Sequence, residues 1–158
     1  MECEVRIVTI GDASQIFRNL FIKGSLNSVT EGLSKDIEKM KPGEFLRCVA
    51  VCDGDVVGQA EFTIPGAPIK KHLVEISGMV VMGGFQGKGL SSKLLDFGLR
   101  WAKSKNVRIA ILSARKGTKA EEVYKHWGFE VYGELAEGIV EPWEDAKTYD
   151  EVLMCKNI

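Results

Sequence analysis

The residues best suited to chemistry start with a glycine cluster, Gly83-Gly84-Phe85-Gln86-Gly87-Lys88-Gly89, set between a strand-like run and an apolar helical pattern. A strand, a Gly-rich turn and a helix make an anion site: successive backbone N–H groups point outward, and the helix N-terminus adds positive potential. The residue types separate the versions of this device. A P-loop needs Ser or Thr after Gly-Lys, but Lys88 is followed by Gly89, and position 82 is Met82 rather than Gly. The dinucleotide pattern G-x-G-x-x-G is met by Gly87 and Gly89 only, with Ser92 at its third position, and it belongs after the first strand of a βαβ unit. Charge around the turn is one-sided. Residues 86–119 hold nine Lys or Arg and one acid, Asp96. A phosphate-rich ligand accounts for Lys88, Arg115, Lys116 and Lys119, while Lys93, Arg100, Lys103 and Lys105 read as a solvated helix face. A nucleic-acid backbone would also suit these cations. The segment lacks interleaved aromatics or a recognition-helix pattern, so nucleic acid is not the expected partner.

Gln86-Gly87-Lys88-Gly89-Leu90-Ser91 resembles the Q/R-x-x-G-x-G/A signature of the GNAT superfamily of N-acetyltransferases, with Ser91 in place of the last Gly or Ala. Tyr124-Lys125-His126-Trp127-Gly128-Phe129 resembles the same family's Y-x-x-x-G-F segment. Ala120 fits its small residue four positions before the Tyr, and Gly117 stands where an Asn is often found. Glu75 lies eleven residues before Gln86, where many histone-acetyltransferase-like members place a general base. The resemblance implies a mixed α/β fold, a largely antiparallel, splayed sheet of about seven strands with about four helices. It implies one N-acetyltransferase domain over 1–158, acetyl-CoA as acetyl donor and no metal. Met79, Val80, Val81, Gln86, Gly87, Lys88, Gly89, Leu90, Ser91, Ser92 and Lys119 are then the cofactor-binding residues, and Glu75 and Tyr124 the catalytic ones.

Acetyl transfer to an amine asks three services of the chain. An alkyl ammonium has a pKa of ~10.4 in water, so a proton must leave before nitrogen attacks, and Glu75 is the candidate base, directly or through water. Backbone N–H groups near Gly78 to Val81 are candidate oxyanion donors, since Gly78 inside a strand signals a bulge. The departing thiolate needs a proton, the role the resemblance gives Tyr124. The alternative is a non-catalytic coenzyme A-binding sensor or interaction module on the same fold. Beyond Phe129 the charge reverses: Glu130, Glu134, Glu137, Glu141, Glu144, Asp145, Asp150 and Glu151 face only Lys147 in sequence. Glu137, Glu141, Glu144 and Asp145 are expected to steer a cationic small-molecule or protein amine, with Trp143 as a substrate contact.

Strands and helices must position these groups. Residues 4–10 alternate as a strand, and Asp12 and Gln15 open a helix. Ser28 and Glu31 form a capping-box pattern for a second helix burying Leu33, Ile37 and Met40. Residues 44–52 and 56–64 read as strands joined through Asp53-Gly54, a hairpin signal. A long strand over 72–82 leads to the glycine turn and to a helix with Leu90, Leu94, Phe97 and Trp101 on one face. Residues 107–112 form a strand, and Thr118 with Glu121 caps a helix carrying Ala120, Val123, Tyr124 and Trp127. Gly128 stops that helix, and strands over 129–133 and 148–154 close the order β-α-α-β-β-β-α-β-α-β-β. His126 reads as surface, and Trp101 and Trp127 as core aromatics.

The chain is 158 residues with 45% hydrophobic and 27% charged residues and a net charge of −1. That excludes disorder, collagen-like sequence and a simple coiled coil, and gives no global pull toward nucleic acid or anionic membrane. No apolar run approaches the ~20 residues of a membrane span, and Met1-Glu2-Cys3-Glu4 is acidic where a secretory signal is basic. Cys3, Cys48, Cys52 and Cys155 lack zinc spacing and read as four free thiols in a reducing cytoplasm. A homodimer is compatible with the sequence.

Overall fold

The computed structural model describes all residues from Met1 to Ile158, and its elements follow the expected order, with short 3-10 turns between them. They fall into two compact units, Met1–Val107 and Arg108–Ile158.

The first unit contains β1 (Cys3–Ile7), β2 (Phe45–Cys52), β3 (Asp55–Thr63) and β4 (Leu73–Val81), with α1 (Ala13–Asn19), α2 (Leu26–Met40) and α3 (Leu90–Ser104). The strands lie in chain order, each antiparallel to the next. Asp53 and Gly54, both at positive φ, make the two-residue turn of the β2–β3 hairpin. Every residue of β2 is buried, because side chains on both of its faces meet packed neighbours. Val49 and Val51 join Val8, Ala13, Ile16, Leu33 and Val56 in one core cluster, with Val29, Ile37 and Met40 of α2 packed against it. Elsewhere the Phe62 ring lies under α3, so close to Gly98 that a Cβ there would fall 2.0 Å from it.

That contact turns α3 away from the expected face. Leu90, Leu94, Leu95, Gly98, Leu99 and Ala102 are buried, whereas Phe97 and Trp101 are half-buried at the flank. The smallest side chain marks the closest approach. Helix α2 also starts earlier than expected, at Leu26. Ser25 Oγ accepts from the Ser28 N–H at 3.1 Å and Ser28 Oγ accepts from the Ser25 N–H at 3.2 Å, so Ser28 closes the capping box instead of opening the helix.

Between β3 and β4 the register slips. Gln59 pairs with Val80 and Glu61 with Ser77, so Gly78 and Met79 stand against Ala60 alone. This is the expected bulge, with Gly78 at φ +56°.

The second unit contains β5 (Ile109–Arg115), α4 (Lys119–His126), β6 (Glu130–Glu141) and β7 (Lys147–Asn157). β7 pairs antiparallel with both β5 and β6. Ala110, Leu112, Ala114, Phe129, Val152 and Met154 form its buried apolar set. β6 runs well past Gly133, because pairing to β7 resumes after two register shifts, at Val131/Gly133 and Leu135/Ile139. The seven strands and four α-helices give the expected mixed α/β fold class.

The cysteine expectation is overturned. The β1–β2 register sets Cys3 opposite Cys52, and the two form a disulfide with Cα atoms 4.1 Å apart. Cys48 and Cys155 are free, and the inference of a reducing compartment from four free thiols loses its basis. Burial pushes the Cys48 thiol up to about 12, which leaves it without thiolate reactivity near neutrality. No helix is long and apolar enough to cross a membrane.

Candidate functional site

In the first unit, β4 delivers the chain to the glycine turn. The Met82 N–H donates to Val57 O at 2.8 Å, the Phe85 N–H to Met82 O at 2.8 Å, and Gln86 Nε2 to Val81 O at 3.1 Å. Gln86 thus braces the loop with its side chain. Gly87 and Gly89 sit at φ +75° and +77°, a backbone state that costs an L-residue about 1–2 kcal/mol. No atom lies within 4 Å of where a Cβ would stand at either, so the chain itself puts no side chain against this backbone.

Helix α3 then begins without a side-chain cap. Lys93 N–H donates to Gly89 O at 3.1 Å, and the N–H groups of Leu90, Ser91 and Ser92 precede the first intrahelical bond. Leu90 is buried, which anchors the helix end by its side chain and leaves only its backbone for a ligand. Ser91 and Ser92 are half-buried and Lys88 is exposed, with Lys88 Nζ 5.4 Å from the centre of the Phe85 ring. These groups suit a pyrophosphate: oriented donors, a positive helix end and a nearby cation.

Upstream, Met79, Val80 and Val81 are half-buried. Val80 and Val81 keep their partners on β3, so the backbone without a register partner is confined to Gly78 and Met79. Glu75 is exposed and stands opposite Thr63.

The bulge rests on residues that the sequence reading did not single out. Gln59 Nε2 donates to Gly78 O at 3.0 Å. Gln59 Oε1 accepts from Arg47 Nε at 3.1 Å and from Arg47 Nη2 at 2.7 Å, and Arg47 Nη1 donates to Asp36 Oδ2 at 2.9 Å. Gln59 and Arg47 are 1% and 7% exposed. A buried guanidinium with a carboxylate partner therefore runs from α2 across β2 and β3 to the Gly78 carbonyl. The available signal was Arg47 and Gln59 inside otherwise apolar strands, because polar residues there must find partners on burial.

In the second unit, Tyr124 projects from α4. Its ring is half-buried, 5.7 Å from the Trp127 ring and 6.4 Å from the Phe129 ring. Burial raises its phenol above the ordinary tyrosine range, with Arg115 acting weakly the other way, so the hydroxyl keeps its proton at neutral pH. Lys119 is the first residue of α4 and is exposed. Gly117, at the position where the family often has Asn, donates its N–H to Glu121 Oε1 at 2.8 Å, so Glu121 secures the helix start.

Two basic residues expected near a phosphate are committed elsewhere: Arg115 pairs with Glu141, and Lys116 with Glu134. The acidic segment accordingly has more counterions than Lys147, supplied by β5 and the turn after it. Glu144 accepts from the Tyr149 hydroxyl at 3.0 Å, and Trp143 is 66% exposed.

The sequence profile of the acetyltransferase (GNAT) family matches residues 15–129. The chain belongs to that family. Solved structures agree in fold. A ribosomal-protein-alanine N-acetyltransferase from Brucella melitensis matches with TM-score 0.80 at 22% identity, over 98% of this chain and 99% of its own. The yncA protein of Salmonella typhimurium, solved with its cofactor acetyl-CoA, matches with TM-score 0.78 at 18% identity, over 99% and 94%. A spermidine N-acetyltransferase that is a chimera from Vibrio cholerae and hSSAT matches with TM-score 0.79 at 19% identity, over 99% and 96%. A search of curated proteins finds no match. This GNAT chain thus shares its fold with proteins named for unlike acceptors, and its own acceptor must be argued from its residues.

Proposed function

We propose that this GNAT protein transfers an acetyl group from acetyl-CoA to a primary amine by direct attack in a ternary complex, without an acyl-enzyme. The observation that carries the reading is the glycine turn: two left-handed glycines with open space above them, followed by an uncapped helix start. Acetyl-CoA supplies the activated thioester. The N–H groups of Leu90, Ser91 and Ser92, with Lys88 and the Gly87–Gly89 backbone, hold the pyrophosphate, and the family resemblance adds Lys119 to the cofactor-binding set. The bulged backbone of Gly78 and Met79, beside Val80 and Val81, supplies donors for the oxygen that gains charge as the amine attacks. Glu75 takes the proton from the attacking nitrogen, and the Tyr124 hydroxyl protonates the leaving sulfur.

Supporting this reading is the placement of Tyr124 on α4, half-buried beside Trp127 and Phe129, with a hydroxyl that, like any tyrosine's, carries its proton at neutral pH. The test is thiol release from acetyl-CoA in the presence of a panel of primary amines, with the product identified by mass. Acetyl transfer that falls at least tenfold in Glu75→Gln and Tyr124→Phe, with coenzyme A affinity unchanged, supports the assignment. Coenzyme A binding without transfer to any amine supports the non-catalytic sensor instead.

A further inference from the structure

Glu61 lies near the C-terminal end of β3, half-buried, opposite Ser77. A Cβ built on Gly78 would fall 2.0 Å from Glu61 Oε2, so the carboxylate occupies the space that the missing side chain leaves at the bulge. The charged groups around it come from three elements: Arg47 on β2, Asp36 and Lys39 on α2, and Glu75 one row along β4. Neither cation forms an ion pair with it. Arg47 directs its Nε and Nη2 to Gln59 and its Nη1 to Asp36, and Lys39 Nζ sits 4.2 Å over the Phe45 ring. Glu61 forms no ion pair and no side-chain hydrogen bond with the protein.

A desolvated carboxylate without a partner is costly, and its charge is favoured once a cation arrives within about 4–6 Å. Burial already pushes the Glu61 carboxyl upward, with Arg47 opposing, Asp36 reinforcing and Lys39 opposing. The carboxylate faces the same bulge whose backbone lacks register partners, and Gly78 itself is exposed. We propose that Glu61 receives the ammonium group of the acceptor, making this GNAT protein selective for cationic primary amines held at the β4 bulge. The inference rests on the acetyl-transfer reading and adds the acceptor's chemistry to it. Gln59 and Arg47 act as positioning residues: they fix the Gly78 peptide and withhold the guanidinium from Glu61, which keeps that carboxylate free for the substrate.

The experiment combines a titration with kinetics. Side-chain carboxyl carbons of 13C-glutamate-labelled protein are titrated by NMR, with Glu61→Gln assigning the signal. Titrations are run alone and with 1,4-diaminobutane, a peptide with a free N-terminal amine, and Nα-acetyl-lysine methylamide. At least one amine is expected to lower the Glu61 midpoint by about one unit or more. That same amine should show a KM raised roughly tenfold in Glu61→Gln, with kcat and the KM for acetyl-CoA unchanged. Glu61→Gln should also be no less stable than the parent, because it removes a half-buried charge that has no ion-pair partner. If none of the three amines moves the Glu61 midpoint, or the variant's amine KM is unchanged, the proposal is overturned while acetyl transfer by the parent protein stands. If acetyl-CoA does not bind, it is the acetyl-transfer reading that fails, and the NMR titration still decides whether Glu61 binds a cationic amine.

Discussion

Gly89→Ala isolates the proposed cofactor turn from the fold that carries it. Gly89 sits at φ +77° with no atom within 4 Å of a new Cβ, so the methyl group meets nothing in the protein and the cost to folding is conformational. Placing an L-residue there costs about 1–2 kcal/mol, a fall in melting temperature of roughly 2–4 °C per kcal/mol for a domain of this size. The methyl group does stand where a phosphate would approach the backbone. Losing one charge-assisted hydrogen bond costs about 1.5–3 kcal/mol, a drop of tenfold or more in acetyl-CoA affinity. The control is Gly54→Ala in the β2–β3 turn, at φ +88° and equally open. It should lose the same stability and keep the parent's affinity. Isothermal titration with acetyl-CoA, beside thermal unfolding of both variants, reads the two effects apart. If Gly89→Ala binds acetyl-CoA within twofold of the parent, or Gly54→Ala weakens binding equally, the phosphate-cradle argument is refuted.

Other substitutions test the framework. Gly98→Ala drives a methyl group into the Phe62 ring, and overpacking of about 1–3 kcal/mol should appear as a lowered urea midpoint; an unchanged midpoint would mean that α3 does not pack there. Cys3→Ser, or reductant added to the parent, opens a link between residues 49 apart in sequence and should cost about 2–4 kcal/mol, read by unfolding with and without reductant. Tyr124→Phe should keep the parent's stability and coenzyme A affinity while kcat falls. Because burial raises the Tyr124 pKa, loss of its proton should limit the parent's kcat only above the ordinary tyrosine range near pH ~10.

Parts of this molecule are legible from local chemistry alone. Asp53-Gly54 announces its turn because positive φ at two successive positions suits few other pairs. The glycine turn and the Tyr124 segment are contiguous in sequence, so their pattern survives without knowledge of the fold. What local pattern misses is set by pairing across the chain. Cys3 and Cys52 look unrelated until the β1–β2 register puts them opposite each other. β6 looks finished at Gly133, yet β7 supplies a partner for residues up to Glu141. Ser28 reads as a helix cap because Ser25, three residues earlier, offers the same hydroxyl. The Asp36–Arg47–Gln59–Gly78 connection joins four elements, and no spacing within one of them reveals it. Glu61 is hidden for the same reason: its significance lies in which cations are already committed to other partners.

The central claim is that the glycine turn and the α3 start bind coenzyme A. Thermal unfolding with acetyl-CoA, free coenzyme A and NAD in parallel tests it most directly. A ligand at about 100 times its dissociation constant adds about 2.7 kcal/mol, several degrees for this chain. The account predicts that shift with both coenzyme A forms and none with NAD. No shift with either coenzyme A form, or a shift with NAD alone, would contradict it.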